Sequence, residues 1–201
     1  MPDSRRLFVG LVVPDENADR LTRRTHPTLV EDDGSEPEGV RLYAAADLHM
    51  TLVFLGEFLE ARRSRLQGAL QEELRGLNAP ELVLTGTGSF PSREDPRVLW
   101  AGVEDRAEVT GRLDALRNRA LQACLSVGWR PPKVEFERPF QPHVTLGRVA
   151  KDGPAIHRAF FDLDFDQSWL PIEVALIESR PEQTDERYRV IWAVPLVVRP
   201  G

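Results

Sequence analysis

The sequence predicts an α+β fold with antiparallel strands. Segments with the three- and four-residue apolar spacing of amphipathic helices interleave with short segments of β-branched, aromatic or alternating apolar residues, which are typical of strands. Several of these strands lie close enough in sequence to form hairpins, which favours antiparallel sheets over a doubly wound parallel sheet. The sequence also lacks a Gly-x-Gly-x-x-Gly segment after its first strand, so the dinucleotide-binding signature of the parallel fold is missing.

Three helices and seven strands follow from these patterns. The first helix begins after Pro14, has acidic residues in its first turn and ends before Pro27. Two further helices have one apolar face each, formed by Leu66, Leu70, Leu74 and Leu77 in one and by Val109, Leu113, Leu116, Ala120 and Cys124 in the other. The predicted strands cover 6–13, 48–55, 82–89, 98–103, 143–149, 172–178 and 189–196, and the predicted loops cover 31–39 and 181–187.

Composition limits the class of protein. The 201 residues fit a single domain spanning 1–201, and no apolar run approaches the ~20 residues that cross a bilayer. The one cysteine, Cys124, lies on an apolar helical face and is predicted to be a buried structural thiol, which suits a reducing cytoplasm. The protein is also expected to be a monomer.

The formal charge of −6 argues against a protein that binds long nucleic acid mainly through its phosphates. A short basic stretch surrounds residue 143, and it is either a solvated face or a rim that attracts phosphate. Its members are Arg130, Lys133, Arg138, Arg148 and Lys151.

Two of the four histidines are followed by an apolar residue, then Thr, then Leu: HMTL begins at His49 and HVTL at His143. A lone histidine on a strand is most simply a packed core residue, but repetition of the whole pattern makes coincidence a poor explanation. Strand alternation places the histidine and threonine of each copy on one face. Met50, Leu52 and Phe54 are then expected on the opposite, apolar face, and two such strands facing one another would form a cleft for an anion.

Opening a cyclic phosphodiester needs one group to accept a proton from water and another to donate one to the leaving oxygen, and two histidines can hold opposite protonation states near neutral pH. Hydroxyls of Thr51 and Thr145 can stabilise the charge that develops on the phosphate oxygens. The sequence contains no His-Glu-x-x-His motif, paired cysteines or phosphate loop, so no metal or other cofactor is expected. Its only lysines are Lys133 and Lys151, which argues against an ATP-driven ligase with a lysine nucleophile.

The chain resembles the 2H phosphoesterase superfamily, and within it the bacterial RNA 2′,3′-cyclic phosphodiesterases, also called 2′-5′ RNA ligases. The resemblance runs nearly end to end through RLFVGL, ADLHMTLVFLGE, FPSREDPRVLW and RPFQPHVTLGR. It implies two pseudo-symmetric lobes of antiparallel sheet, with helices on the outer faces and the active-site cleft between the lobes. It also implies hydrolysis of RNA 2′,3′-cyclic phosphate ends, tRNA fragments among them, to 2′-phosphates, and the reverse ATP-independent 2′-5′ joining.

The resemblance also implies roles for individual residues. His49 becomes the proton donor and His143 the proton acceptor, while Thr51, Thr145 and Arg148 bind the substrate phosphate. Strict alternation from His143 would put Arg148 on the wrong face, so either Gly147 permits a bulge or the long side chain wraps around the strand end.

Further candidates for substrate contact rest on position alone. Arg97 is either a substrate contact or a structural surface charge. Five aromatic residues can stack on a base, although core packing is the simpler expectation for each. They are Phe8, Phe54, Phe90, Phe140 and Tyr188.

Two other functions fit the same motifs. A phosphodiesterase of small cyclic nucleotides or nucleotide-sugar cyclic phosphates would suit the acidic net charge. A non-catalytic module that binds RNA ends would use the same cleft, but it has no chemical need for two proton-transfer groups.

Overall fold

The computed structural model describes residues 3–106, 111–131, 139–182 and 187–198. The helices are α1 (Asp15–Thr25), α2 (Arg63–Leu74), α3 (Arg112–Ser126) and the short α4 (Arg158–Phe161). The strands are β1 (Ser4–Val12), β2 (Val40–Leu42), β3 (His49–Leu59), β4 (Leu82–Pro91), β5 (Pro96–Asp105), β6 (His143–Val149), β7 (Ser168–Trp169), β8 (Glu173–Ser179) and β9 (Tyr188–Pro195).

All seven predicted strands and all three predicted helices are present, and the α+β class with antiparallel strands is confirmed. The short elements β2, β7 and α4 were not predicted, because two to four residues are too few to show a period. Leu77 lies beyond the end of α2, since Gly76 takes a positive φ of 76° that ends the helical turn. Val109 lies outside the described residues.

The nine strands of the described chain form one sheet in the order β7-β4-β5-β6-β3-β1-β8-β9, with β2 paired to β6. Two halves are visible in this order, one built on β4, β5 and β6 and the other on β1, β3, β8 and β9. Neighbouring strands within each half share long antiparallel registers, whereas β3 and β6 share the single residue pair Met50 and Val144. The halves therefore meet at one point, directly after the two histidines.

One face of the sheet holds the main core. The inward faces of α2 and α3 cover it with Leu66, Leu70, Leu74, Leu113 and Leu116, all 3% exposed or less. Burial of each leucine is worth roughly 1.5–3 kcal/mol, so these two helices hold the sheet in place. Cys124 is fully buried there, and burial raises the pKa of its thiol to about 12, as expected for a structural thiol. No helix in the described residues is long and apolar enough to span a membrane.

Candidate active site at the junction of the two halves

Both histidines lie at the first position of a strand, His49 on β3 and His143 on β6. The residues that follow them, Met50 and Val144, are paired across the two antiparallel strands and fully buried. Extending that register by one residue on either side places each histidine opposite the threonine of the other motif. The repeated motif thus becomes a symmetric arrangement around one point of the sheet.

The two imidazole rings are held in the same way. Nδ1 of His49 lies 2.7 Å from the carbonyl oxygen of Asp47, and Nδ1 of His143 lies 2.7 Å from that of Gln141. A carbonyl oxygen only accepts hydrogen bonds, so Nδ1 carries the proton in each neutral ring. Nε2 is then the atom that can accept a proton, and in the described part of the chain neither Nε2 has a hydrogen-bond partner.

Aromatic side chains pack against both rings. The centroid of His49 lies 4.6 Å from that of Phe8 and 4.4 Å from that of Tyr188, and the centroid of His143 lies 5.1 Å from that of Phe90. Burial lowers the pKa of His49 to about 4, with a smaller lowering from the nearby His143, although the hydrogen bond to Asp47 opposes the shift. Burial also lowers the pKa of His143. Both rings are therefore neutral near pH 7 when the site is empty.

Each motif strand contains a bulge at the same position. The register of β3 with β1 skips Leu52, and the register of β6 with β5 skips Leu146. Each bulge reverses the alternation of side chains, so the fifth residue after each histidine points to the same face as the histidine. Those residues are Phe54 and Arg148, and both line the central cavity.

The bulges settle two expectations from the sequence. Arg148 reaches the cavity through the bulge in β6, with Gly147 beside it. The expected placement of Phe54 on the apolar core face with Met50 is wrong, because the bulge at Leu52 turns it outward. Phe54 instead packs against a small cluster formed by Phe8, Ala175 and Ile177, and it lines the cavity.

Two tyrosines hold Arg148 in position. Nε of Arg148 donates a 3.0 Å hydrogen bond to the hydroxyl oxygen of Tyr43, and the hydroxyl of Tyr188 donates to the same oxygen over 3.3 Å. Burial raises the pKa of Tyr43, but the hydrogen bonds from Tyr188 and Arg148 outweigh it and lower the pKa overall. Burial and the hydrogen bond to Tyr43 raise the pKa of Tyr188, so Tyr188 keeps its proton and acts as the donor.

These groups line a central cavity of about 940 Å³. The structure brings together the five site residues predicted from the sequence, since all line this cavity: His49, Thr51, His143, Thr145 and Arg148. The five aromatic candidates for base stacking also line it. Arg6, Arg117 and Arg148 line the cavity, whereas no Asp or Glu of the described residues does. The described lining of the site is therefore cationic, although the whole chain carries a charge of −6.

The family model for the 2′-5′ RNA ligase superfamily matches residues 13–182. The chain belongs to the 2′-5′ RNA ligase superfamily. It is 32% identical over 151 residues to an RNA 2′,3′-cyclic phosphodiesterase of Archaeoglobus fulgidus, an alignment that covers 75% of this chain and 76% of the relative. A Bacillus subtilis relative of the same name is 31% identical over 165 residues, covering 80% of this chain and 81% of the relative.

Solved structures share the fold across the whole chain. TT0787 of Thermus thermophilus matches with a TM-score of 0.74 and 24% identity, covering 95% of this chain and 97% of that one. E. coli LigT, in a crystal structure with 3′-AMP, matches with a TM-score of 0.74 and 23% identity, covering 96% and 99%. The family and the fold implied by the sequence motifs are thus confirmed.

Of the basic stretch around His143, one described member, Arg148, lines the cavity. Arg130 donates to the carbonyl oxygens of Leu125 and Trp129, and Lys133 and Arg138 lie outside the described residues. Arg97 forms an ion pair with Asp95, donates to the carbonyl of Ala150 and is not among the described residues that line the cavity, which favours a structural charge.

The other positive charges at the site come from residues that sequence reasoning did not single out. Arg6 on β1 and Arg117 on α3 line the cavity, as does Tyr43, which follows β2. Arg6 and Arg117 lie far from the motifs in sequence, whereas Tyr43 lies shortly before His49. None of the three carries a local pattern, so the folded chain is needed to show that they share the site. Among the described residues, no group of three or more His, Cys, Asp or Glu side chains is placed to hold a metal ion.

Proposed function

We propose that the chain hydrolyses 2′,3′-cyclic phosphate ends of RNA to 2′-phosphates. Membership of the superfamily and the names of the curated relatives support cyclic phosphodiesterase activity. The observation that carries the proposal is the pair of histidines in matching environments, each with Nδ1 bonded to the carbonyl two residues earlier and Nε2 unpartnered. Two such groups suit a reaction that takes one proton and gives one.

In the proposed reaction Nε2 of neutral His143 accepts a proton from water as the water oxygen attacks the phosphorus atom. The bond from phosphorus to the 3′ oxygen breaks, and protonated His49 donates its Nε2 proton to that oxygen. The phosphate then remains on the 2′ oxygen. The choice of donor and acceptor follows the family resemblance.

Bound substrate explains how His49 gains its proton. Its pKa of about 4 applies to the empty cavity, where burial disfavours the charged ring. A phosphate anion between the two rings favours the charged form and raises that pKa. A ring that is hard to protonate is also a strong acid once protonated, which suits a proton donor.

Thr51, Thr145 and Arg148 are the proposed phosphate ligands. The register places the two threonines across from the opposite histidines, where their hydroxyls can donate to the non-bridging oxygens. Arg148 presents its guanidinium NH₂ groups to the phosphate while its Nε remains bonded to Tyr43. The reaction needs no cofactor, and its reversal would join RNA ends through a 2′-5′ bond without ATP.

Alanine substitution tests the assignment of both histidines. His49→Ala and His143→Ala should each reduce turnover of an RNA with a 2′,3′-cyclic phosphate end by about 10³-fold or more. His157→Ala is the matched control, because His157 is exposed and caps α4 away from the cavity. Wild-type turnover in either active-site variant would refute the proposal, and ³¹P–¹H NMR of the product must find the phosphate on the 2′ oxygen.

A substrate with sulfur in place of the 3′ oxygen separates the two roles. A thiolate leaves without protonation, so the proton donor becomes unnecessary. The His49→Ala variant should regain most of its activity on this substrate, whereas His143→Ala should not. Rescue of His143→Ala alone would reverse the two roles.

A further inference from the structure

A second, smaller pocket opens beside the central cavity. This side pocket has a volume of about 200 Å³ and is lined by Arg6, Arg41, Tyr43, Arg148, Ser179, Pro181, Arg187 and Tyr188. Five of these residues, including Arg148 and Tyr43, also line the central cavity. The two spaces therefore share a wall formed by the proposed phosphate ligand and the tyrosines that hold it.

The side pocket concentrates positive charge. Four of its eight described lining residues are arginines, and none is Asp or Glu. Arg6, Arg41 and Arg187 form no ion pair within 4 Å with a carboxylate of the described chain. Asp47 interacts with Arg41 and Arg187 only at longer range. Like charges around so small a space repel one another, and an anion would relieve that repulsion.

Aromatic rings support two of these guanidinium groups. Arg41 lies over the ring of Tyr43 at 5.7 Å, and Arg6 lies over the ring of Phe54 at 5.1 Å. The cation–π contact holds each guanidinium group beside its ring and leaves its N–H edge available. Such an edge matches two oxygens of a phosphate group and gives the pocket a preference for phosphate over a simple anion.

We propose that the side pocket binds the phosphate attached to the 5′ oxygen of the terminal nucleotide. The inference rests on the proposed function, which places the cyclic phosphate in the central cavity. The next phosphate along an RNA strand is joined to the same ribose, so its site must open directly beside that cavity, as the shared wall requires. The pocket then selects a strand end over a nucleoside cyclic phosphate without a 5′ phosphate.

Four substrates test this selection on the wild-type protein. They are a nucleoside 2′,3′-cyclic phosphate, the same compound with a 5′-phosphate, a dinucleotide ending in the cyclic phosphate, and that dinucleotide with an uncharged methylphosphonate linkage. We expect kcat/KM to be about tenfold higher for the charged dinucleotide than for its methylphosphonate analogue. Equal values for these two would overturn the proposal.

The 5′-phosphorylated nucleotide identifies the ligand. If its kcat/KM exceeds that of the nucleoside cyclic phosphate by as much as that of the charged dinucleotide does, a phosphate group alone fills the pocket. If only the charged dinucleotide has a higher kcat/KM, the ligand is the internucleotide phosphodiester. Both results support a phosphate subsite and differ in what it recognises.

Arginine variants link the selection to this pocket. Arg41→Gln and Arg187→Gln should each reduce the ratio of kcat/KM between the charged and uncharged dinucleotides about fivefold. Arg65→Gln changes the net charge equally on the exposed side of α2 and should leave the ratio unchanged. A ratio that is unchanged in both pocket variants, or reduced as much by Arg65→Gln, would refute the placement.

Calorimetry of the binding of the two dinucleotide products tests the phosphate subsite independently of the proposed cyclic phosphodiesterase activity. If none of the four substrates is turned over, the proposed function fails, yet tighter binding of the charged product than of its methylphosphonate analogue would still support the subsite. Equal affinities would reject it.

Discussion

The burial of His49 should make the protein lose stability in mild acid. In the unfolded chain its imidazole has a pKa of 6.5, and in the folded chain burial lowers the pKa to about 4. At pH 7 the imidazole is neutral in the folded state and mostly neutral in the unfolded state, so the group changes the free energy of unfolding little. Between these two pKa values only the unfolded state binds it, and stability therefore falls as the pH decreases.

The size of the loss follows from the two pKa values. Below pH 4 the free energy of unfolding is lower by about 3 kcal/mol because of this group. At pH 5 the loss already amounts to about 2 kcal/mol. His49→Gln removes the titrating group. Urea unfolding of wild type and variant at pH 7 and pH 5 should show that the variant loses about 2 kcal/mol less than the wild type over that interval.

Thr51→Val is the matched control, because it alters the same cavity wall and removes no titrating group. Its free energy of unfolding should vary with pH in parallel with that of the wild type. Parallel curves for His49→Gln and wild type would contradict the reasoning, since they would mean that His49 is protonated as readily in the folded protein as in the unfolded chain.

Three further perturbations have defined outcomes. Tyr43→Phe removes the acceptor of the Arg148 Nε hydrogen bond. It should lower kcat/KM on a cyclic phosphate end about fivefold without changing the melting temperature. An unaltered kcat/KM would mean that Arg148 does not need this hydrogen bond to hold its position. Arg97→Gln should keep kcat/KM within about twofold of wild type, because the Arg97 guanidinium forms an ion pair with Asp95 and a hydrogen bond to a backbone carbonyl. A larger loss of kcat/KM would mean that Arg97 contacts the substrate. Gly10→Ala puts a Cβ 2.7 Å from the carbonyl oxygen of Met50. In a urea titration this variant should have a free energy of unfolding about 1–3 kcal/mol lower than the wild type. Wild-type stability would show that β1 and β3 can move apart at this position without cost.

The matching bulges explain how two copies of one short motif make a site with two different sides. His-x-Thr-Leu ends at the residue where each strand bulges, and the two motif strands then present different fifth residues to the cavity. Phe54 supplies an aromatic surface on one side and Arg148 a positive charge on the other. The site is thus symmetric in its histidines and threonines and asymmetric in what surrounds them.

The sequence by itself determined the features that repeat locally. Helix and strand periods predicted α2, α3 and the seven longer strands, and the prolines and acidic residues at its ends predicted α1. The duplicated motif predicted that His49, Thr51, His143 and Thr145 belong together. The period of a strand also predicted the wrong face for Phe54, because a one-residue bulge leaves no mark in the composition around it.

Only the tertiary structure decided what depends on contacts between distant segments. The pairing of Met50 with Val144 brings the two motifs to one point, and it joins residues 94 positions apart with no local signal of register. The arginines of the side pocket come from four different segments, so their common location appears only once the strands are paired. The neutral state of the histidines likewise follows from burial, which a residue's neighbours in sequence do not set.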